Sequence, residues 1–307
     1  MRAIGRLLRL SLAPSAVADV AAGIIFACEG RWPEQTSVFW LLAASFCVYH
    51  GAMALNDWRD REHDSRTRPS RPIPSGAVRP STALGLGVVL LVLGPVLASQ
   101  HSFHAGLWTL GLALAALAYD LIGRGPRLGP LLLALCRAGN LGLGLCFAHG
   151  EFLQTLGMHR ALMPMLLYGV YVLRVSQLGR LEDGEDRDLG GSKPRALVLS
   201  SALMLAFVAF LPPYDVEVHT LAGRAAAAAI CLPAAITLGK FARRSGAWTR
   251  GDVEQAMGLC LRRLLMFSAA LAALAWHPPR WDATVVVALV LSGYVVASRL
   301  RRVFPPS

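Results

Sequence analysis

The chain has 307 residues, of which 55% are hydrophobic and only 16% are charged. Ordinary soluble domains carry about 25% charged residues, so this composition excludes a typical soluble protein and predicts a membrane protein. A formal net charge of +11 would suggest a nucleic-acid partner in a soluble protein. Here we attribute it to arginines at the membrane face, and we expect no nucleic-acid binding.

Apolar segments of membrane-spanning length follow one another along the whole chain. A hydrocarbon core of roughly 30 Å needs about 20 apolar residues in a helix. We therefore predict an all-α transmembrane bundle with ten candidate spans, which would form one domain over residues 1–307. The predicted spans are 12–30, 36–56, 82–100, 104–122, 128–149, 160–181, 195–212, 218–239, 254–276 and 281–299.

Most arginines and lysines lie in alternate connecting segments, beginning with the residues before the first span. The positive-inside rule assigns those segments to the cytoplasm. We therefore expect an integral protein of a bacterial inner membrane. Its acidic clusters would face the cytoplasm, and the lipid bilayer would be its permanent partner.

The end of the second apolar segment carries the first cluster of acidic side chains. Its residues are Asn56, Asp57, Asp60 and Asp64. Positions four apart share a helix face, and carboxylates at a membrane boundary suit Mg²⁺, a hard cation that takes oxygen ligands and bridges to phosphates. Arg68 and Arg71 follow at once and can donate paired N–H groups to a phosphate. The alternative is a solvated loop that is merely charged.

A second acidic cluster follows the sixth apolar segment, four segments after the first. Glu182 and Asp186 are again four residues apart, so they would share a helix face. This spacing suggests a duplication in which two four-helix halves each present an acidic cluster. Facing clusters would hold two Mg²⁺ ions with a diphosphate between them, and the cations would stabilise the departing negative charge.

The first cluster resembles a motif of the UbiA superfamily of intramembrane prenyltransferases. That motif reads N-D-x-x-D-x-x-x-D and is matched fully at residues 56–64. The family also continues with R-P-x-R-P-I-P-S-G, which is present at 68–76. A Cys-Arg-Ala-Gly-Asn stretch with following glycines, at 136–144, is similar to the EboC-type proteins of secondary-metabolite gene clusters.

Two other family motifs are matched more loosely. The second acidic motif reads D-x-x-x-D in the family, and Glu182 stands here in place of its first Asp. The family often has Y-x-x-x-K-R between the two acidic motifs; this chain has Tyr119 and Arg124 but Gly123 in place of the lysine. Arg124 or a loop arginine would then have to take over the contact of that lysine with the diphosphate. The family usually has nine spans, so the resemblance implies a bundle of nine to ten spans here. It covers a core at about 10–240, which is followed by C-terminal spans within 254–299.

The resemblance implies a Mg²⁺-dependent prenyltransferase, which moves a prenyl group from a polyprenyl diphosphate to a small, often aromatic acceptor and releases diphosphate. It implies a metal-binding and catalytic set that consists of Asp60, Asp64, Glu182 and Asp186, with Tyr119 as a further catalytic residue. The residues expected to contact the substrates are Asn56, Asp57, Arg68, Arg71, Arg124, Arg137, Asn140, Tyr171 and Arg174.

Other interpretations stay open for several of these residues. Arg137 and Asn140 lie within an apolar segment, where a polar pair also serves to bridge helices. Tyr171, Arg174 and Gln177 would share one face of the sixth span, for acceptor recognition or for contacts between helices. For the whole chain, the main alternative is a non-catalytic membrane protein that binds or moves a prenylated or lipid-like molecule. A secondary transporter fits less well, because transporter carboxylates usually lie near the midplane.

Overall fold

The computed structural model describes residues 2–123, 125, 127–148, 157–182, 191–212, 221–244, 246–278 and 281–303. Within these ranges, ten helices are long and apolar enough to cross a membrane, and no strand occurs. The prediction of an all-α membrane bundle is confirmed, with ten candidate spans. The helices are α1 (Arg2–Leu7), α2 (Ala13–Ala27), α3 (Val38–Thr67), α4 (Pro80–Ser99), α5 (Phe103–Ile122), α6 (Leu128–Phe147), α7 (Gly157–Glu182), α8 (Ser192–Phe207), α9 (Leu221–Ala242), α10 (Arg250–Leu274) and α11 (Asp282–Val303).

Several helices begin at residues that local chemistry favours. Pro80 is the first residue of α4, where its missing N–H has no helical partner to lose. The Ser102 side chain accepts a hydrogen bond from the Ala105 N–H at the start of α5. Thr249 and Asp252 form a reciprocal capping box before α10. These caps satisfy N–H groups that the first helical turn leaves without partners.

The second span, α3, is longer than a membrane crossing requires. It has 30 residues, which corresponds to a length of about 45 Å at 1.5 Å per residue. The apolar part ends near Asn56, and the helix continues without interruption to Thr67. The first acidic motif therefore lies on a rigid helical extension beyond the apolar part of the span.

Glycines allow α2 and α6 to approach closely. A Cβ atom at Gly23 of α2 would lie 2.8 Å from the carbonyl oxygen of Leu141, and one at Gly144 of α6 would overlap the carbonyl oxygen of Val20. Small residues at such crossings are a common means of packing membrane helices, since lipid provides no hydrophobic force between them. The close contact joins the C-terminal half of the first span to the C-terminal half of the fifth.

A buried polar network crosses the interior of the bundle at this level. Arg137 of α6 forms a 2.9 Å ion pair with Asp19 of α2 and donates a hydrogen bond to the hydroxyl of Tyr168 on α7. The hydroxyls of Tyr168 and of Ser268 on α10 each donate to Asp19 at 2.8 Å. Four spans are thus joined through one carboxylate. Charged groups inside a membrane bundle are expected to pair in this way.

We predict that the ion pair between Asp19 and Arg137 is a major determinant of stability. Removing one partner leaves a buried charge without compensation, which destabilises by about 3–5 kcal/mol. Asp19→Asn and Arg137→Met should each lower the melting temperature in detergent, and the double variant should lose less than the two single losses combined. Arg224→Met removes an exposed arginine of α9 and serves as the control. Single variants that melt like the control would contradict the prediction.

Candidate active site at the end of the second span

A small apolar cluster anchors the loop that follows α3. Leu7 of α1 and Ala54 of α3 are buried together with Ile73 and Val78 of the loop. The loop backbone is closed on itself, since the Val78 N–H donates to the Pro72 carbonyl at 2.9 Å. The N-terminal segment, α3 and the loop therefore form one packed unit that holds the backbone of the loop beside the acidic motif.

Arg71 projects from this loop onto two carboxylates of α3. Its Nη1 atom lies 2.6 Å from Asp64 Oδ2 and 3.6 Å from Asp57 Oδ1. Both acidic side chains are only 2% exposed, and that of Arg71 is 6% exposed. Buried carboxylates require a compensating charge, and here a guanidinium of the adjacent loop provides it.

The N-terminal segment supplies a second arginine to the same place. Arg9 Nη2 lies 3.0 Å from Asp57 Oδ1, and Arg6 Nη2 donates to the carbonyl of Ser70 in the loop. Arg9 has a φ of 50° and a ψ of 47°, a left-handed conformation that few residues other than glycine adopt. This backbone turn directs the Arg9 side chain back onto α3. Sequence reasoning counted Arg9 only as a positive-inside charge.

The motif residues lie near one side of α3 but contact different elements. Asn56 donates to Asp120 of α5 at 3.1 Å, whereas Asp64 contacts the loop that follows α3. Each residue turns the helix by about 100°, so eight residues separate these two side chains by roughly 80°. Asp60 lies between them and is half-buried. Asp120 was not predicted as a site residue, although it lies next to Tyr119 in the central motif.

A second contact brings the end of α7 to the same region. Arg180 Nη2 donates to the carbonyl of Gly123, directly after α5, at 3.2 Å. Since α7 ends at Glu182, this bond brings the beginning of the second acidic cluster near the end of α5. Tyr119 is half-buried one turn before Gly123. Arg180 was also missed, because it was counted as an ordinary positive-inside residue.

Part of the predicted metal and substrate site lies outside the described residues. This applies to Arg124, to Asp186 and to the side chain of Glu182. Among the described residues, no group of three or more His, Cys, Asp or Glu side chains is arranged to hold a metal ion. The chemistry of the first motif nevertheless fits Mg²⁺, which takes oxygen ligands. Asp57 Oδ2 is buried and has no hydrogen-bond partner among the described residues.

Three of the predicted substrate contacts, Arg137, Asn140 and Tyr171, lie deeper in the bundle. Asn140 donates to the Ala16 carbonyl and accepts from Ser45, and the Tyr171 hydroxyl donates to the Cys260 carbonyl of α10 at 2.7 Å. These bonds, like the ion pair of Arg137, join helices to one another.

Arg174 is half-buried and donates to Gln177 on its own helix. The predicted phosphate contact Arg68 follows the last residue of α3 with its side chain exposed.

Comparison with known families adds a further observation to this geometry. Residues 16–306 match the UbiA prenyltransferase family. The chain belongs to the UbiA prenyltransferase family. This match confirms the family that the motifs indicated, and it extends over almost the full length of the chain, well beyond the motifs.

Curated and solved relatives of this UbiA family member are distant. A digeranylgeranylglyceryl phosphate synthase of Sulfurisphaera tokodaii is 28% identical over 201 residues, which cover 64% of this chain and 69% of the relative. The chain spans only part of two further relatives, 36% of a digeranylgeranylglyceryl phosphate synthase of Methanosarcina barkeri and 50% of one of Methanosarcina mazei. A UbiA homologue from Aeropyrum pernix K1 aligns with a TM-score of 0.62 at 17% identity, over 83% of this chain and 96% of the other.

A second solved structure contains ligands. It is a UbiA homologue from Archaeoglobus fulgidus bound to DMAPP and Mg²⁺, with a TM-score of 0.58 at 14% identity over 96% of this chain and 99% of the other. At this identity the likeness concerns the fold. The UbiA fold of the present chain thus agrees with its family membership.

We predict a measurable coupling between Arg9 and Asp57 in the UbiA-type bundle. Neighbouring residues in one ion-pair network show interaction energies of about 0.5–3 kcal/mol in double-mutant cycles. Arg9→Gln, Asp57→Asn and the double variant should be compared by reversible denaturation in detergent. Arg2 is exposed in the same segment, and an Arg2→Gln cycle with Asp57→Asn should be additive. Additivity in the Arg9 cycle as well would show that the contact is not formed in solution.

Proposed function

We propose that the chain is a Mg²⁺-dependent intramembrane prenyltransferase that transfers a prenyl group from a polyprenyl diphosphate to a small acceptor and releases diphosphate. The main support is the convergence of three helices, α3, α5 and α7. Asn56 bonds to Asp120, which joins α3 to α5, and Arg180 bonds to Gly123, which joins α7 to the end of α5. These contacts gather the two motif-bearing helices at one end of the bundle.

The metal-binding residues that we propose are Asp60, Asp64, Glu182 and Asp186, with Asn56 and Asp57 in support. When bound, Mg²⁺ would neutralise charge on the diphosphate of the donor. Family membership and the occurrence of Mg²⁺ with DMAPP in the Archaeoglobus fulgidus homologue support this proposal. The oxygen-only donor set of the first motif is of the kind that Mg²⁺ prefers.

Arginines near the motif would bind the diphosphate. Arg71 and Arg9 already lie at the buried carboxylates, and Arg68 is exposed on the same loop. Guanidinium groups donate paired N–H groups that match phosphate oxygens. As the bond between carbon and oxygen breaks, negative charge grows on the departing diphosphate. Contacts with these arginines would therefore strengthen in the transition state, which is the requirement for catalysis. Arg124 would act in the same way.

The prenyl chain would lie among the apolar side chains of the bundle, with its reacting carbon near Tyr119. The aromatic face of a tyrosine attracts a developing allylic cation. For the acceptor we propose a small aromatic molecule. Arg174 supports an anionic acceptor, because its Nε has no hydrogen-bond partner among the described residues. Arg137, Asn140 and Tyr171 would act on the acceptor mainly by fixing the helices that surround it.

We also propose that the site faces the cytoplasm of a bacterial cell. The end of the bundle that carries the acidic motif also carries the basic residues of the N-terminal segment and of the loop after α3. Positively charged segments are retained on the cytoplasmic side during insertion. The ten apolar helices and the family already identify an integral membrane protein.

Release of diphosphate tests the proposed function directly. Purified protein in detergent would be supplied with Mg²⁺, prenyl diphosphates of several lengths and a panel of acceptors. We expect Asp60→Ala to reduce release by about a hundredfold or more, the usual effect of removing one electrostatic contact to a transition state. Glu62→Ala is the matched control, since its side chain is 85% exposed two residues away.

Three outcomes separate the candidate functions. Mg²⁺-dependent release that is lost in Asp60→Ala but kept in Glu62→Ala would support a prenyltransferase. Mg²⁺-dependent binding of the donor without release, for every acceptor, would favour a protein that binds or moves prenylated molecules. Equal activity of both variants would contradict the assignment of Asp60.

A further inference from the structure

We infer that Arg71 couples the binding of the divalent cation to the binding of the donor diphosphate, so that each strengthens the other. The inference rests on the proposed function and extends it to the order and cooperativity of binding. Its basis is the ion-pair network of Arg71 with Asp64 and Asp57.

The ion pairs of the described residues at this place are balanced in charge. Arg9 and Arg71 contribute two positive charges, and Asp57 and Asp64 contribute two negative charges. A cation that approaches a balanced pair gains much less electrostatic energy than one that approaches a bare carboxylate. It must also compete with Arg71 for Asp64 Oδ2, which the guanidinium contacts at 2.6 Å. Arg71 therefore opposes binding of the cation alone.

A diphosphate changes this competition. It offers Arg71 several anionic oxygens, which a guanidinium binds through two parallel hydrogen bonds. Transfer of the Arg71 side chain to the diphosphate would leave Asp64 buried without a partner, which is strongly unfavourable. A divalent cation would then provide the missing charge. Neither ligand is bound well alone, whereas both together leave every buried charge compensated.

The loop is built so that only the side chain of Arg71 has to move. Ile73 and Val78 are buried against Leu7 and Ala54, and the Ser75 N–H donates to the carbonyl of Arg71 at 3.0 Å. The backbone is therefore fixed beside the motif. Arginine has a long and flexible side chain, so its guanidinium can exchange partners while the packed cluster stays intact.

Cation affinity with and without a donor analogue tests the inference without any measurement of activity. Free Mn²⁺, a divalent cation that accepts oxygen ligands, would be counted by electron paramagnetic resonance in the presence of the full chain in detergent. The analogue would be geranyl S-thiodiphosphate, whose leaving bond is slow to break. In the wild type we expect the analogue to raise Mn²⁺ affinity by about 5–150-fold, and Mn²⁺ to raise analogue affinity by the same factor.

Variants of Arg71 separate exchange of partners from a direct contact between cation and diphosphate. Arg71→Met should bind Mn²⁺ alone about 5–150-fold more tightly than the wild type, and its coupling factor should shrink by a similar amount. Arg79→Met removes an exposed arginine of the same loop and should keep the wild-type Mn²⁺ affinity and the wild-type coupling factor.

Should Arg71→Met fail to fold, Arg71→Lys is the second variant. It should bind Mn²⁺ alone as weakly as the wild type but show reduced coupling, because lysine lacks the paired donors.

The outcomes distinguish this inference from the proposed function. If analogue and Mn²⁺ both bind but Arg71→Met has unchanged Mn²⁺ affinity or undiminished coupling, the role of Arg71 is wrong and the proposed function stands. Tighter binding of Mn²⁺ with undiminished coupling would also contradict the inference, because Arg71 would then act by repulsion of the cation alone. If the wild type binds no analogue at any Mn²⁺ concentration, both the inference and the proposed function fail.

Discussion

A carboxylate that is withdrawn from water must be compensated by a positive charge, and this requirement governs both polar regions of the bundle. In the interior, Asp19 is compensated by Arg137 and by hydroxyls from two further spans. At the end of α3, Asp57 and Asp64 are compensated by arginines from connecting segments. Removing one partner of a buried pair is costly in either place.

The two regions differ in what supplies the compensation. The partners of Asp19 project from helices whose backbones are fixed by close packing, such as the glycine contact between α2 and α6. Arg9 and Arg71 project from a short N-terminal segment and from a loop, where only the side chain has to move for the partner to change. The interior network therefore fixes the spans relative to one another, while the network at the end of α3 is suited to exchanging ligands.

Hydropathy was sufficient to predict the spans, because runs of about 20 apolar residues have few alternatives to a membrane helix. The motif spacing was sufficient to predict that Asn56, Asp60 and Asp64 gather near one side of α3. It did not predict that Asn56 and Asp64 contact different elements. Each step of four residues turns the side chain about 40° beyond a full turn, so two steps place Asp64 roughly 80° from Asn56, toward a different neighbour. Long-range pairs were harder still. Asp19 is a single acid in an apolar run, and its pairing with Arg137 depends on how α2 packs against α6, which local patterns do not encode.

The length of α3 has a consequence for how the reaction would be observed. Its polar extension would hold the acidic motif outside the hydrocarbon, while the apolar part of the helix is long enough to cross the membrane. A prenyl donor, anchored by about 0.8 kcal/mol for each buried CH₂ group, would reach this site by diffusing within the plane of the bilayer. The effective concentration is then the mole fraction of donor in the lipid, and not the amount in the whole solution. Diluting the donor with inert lipid at constant bulk concentration would therefore slow such a reaction.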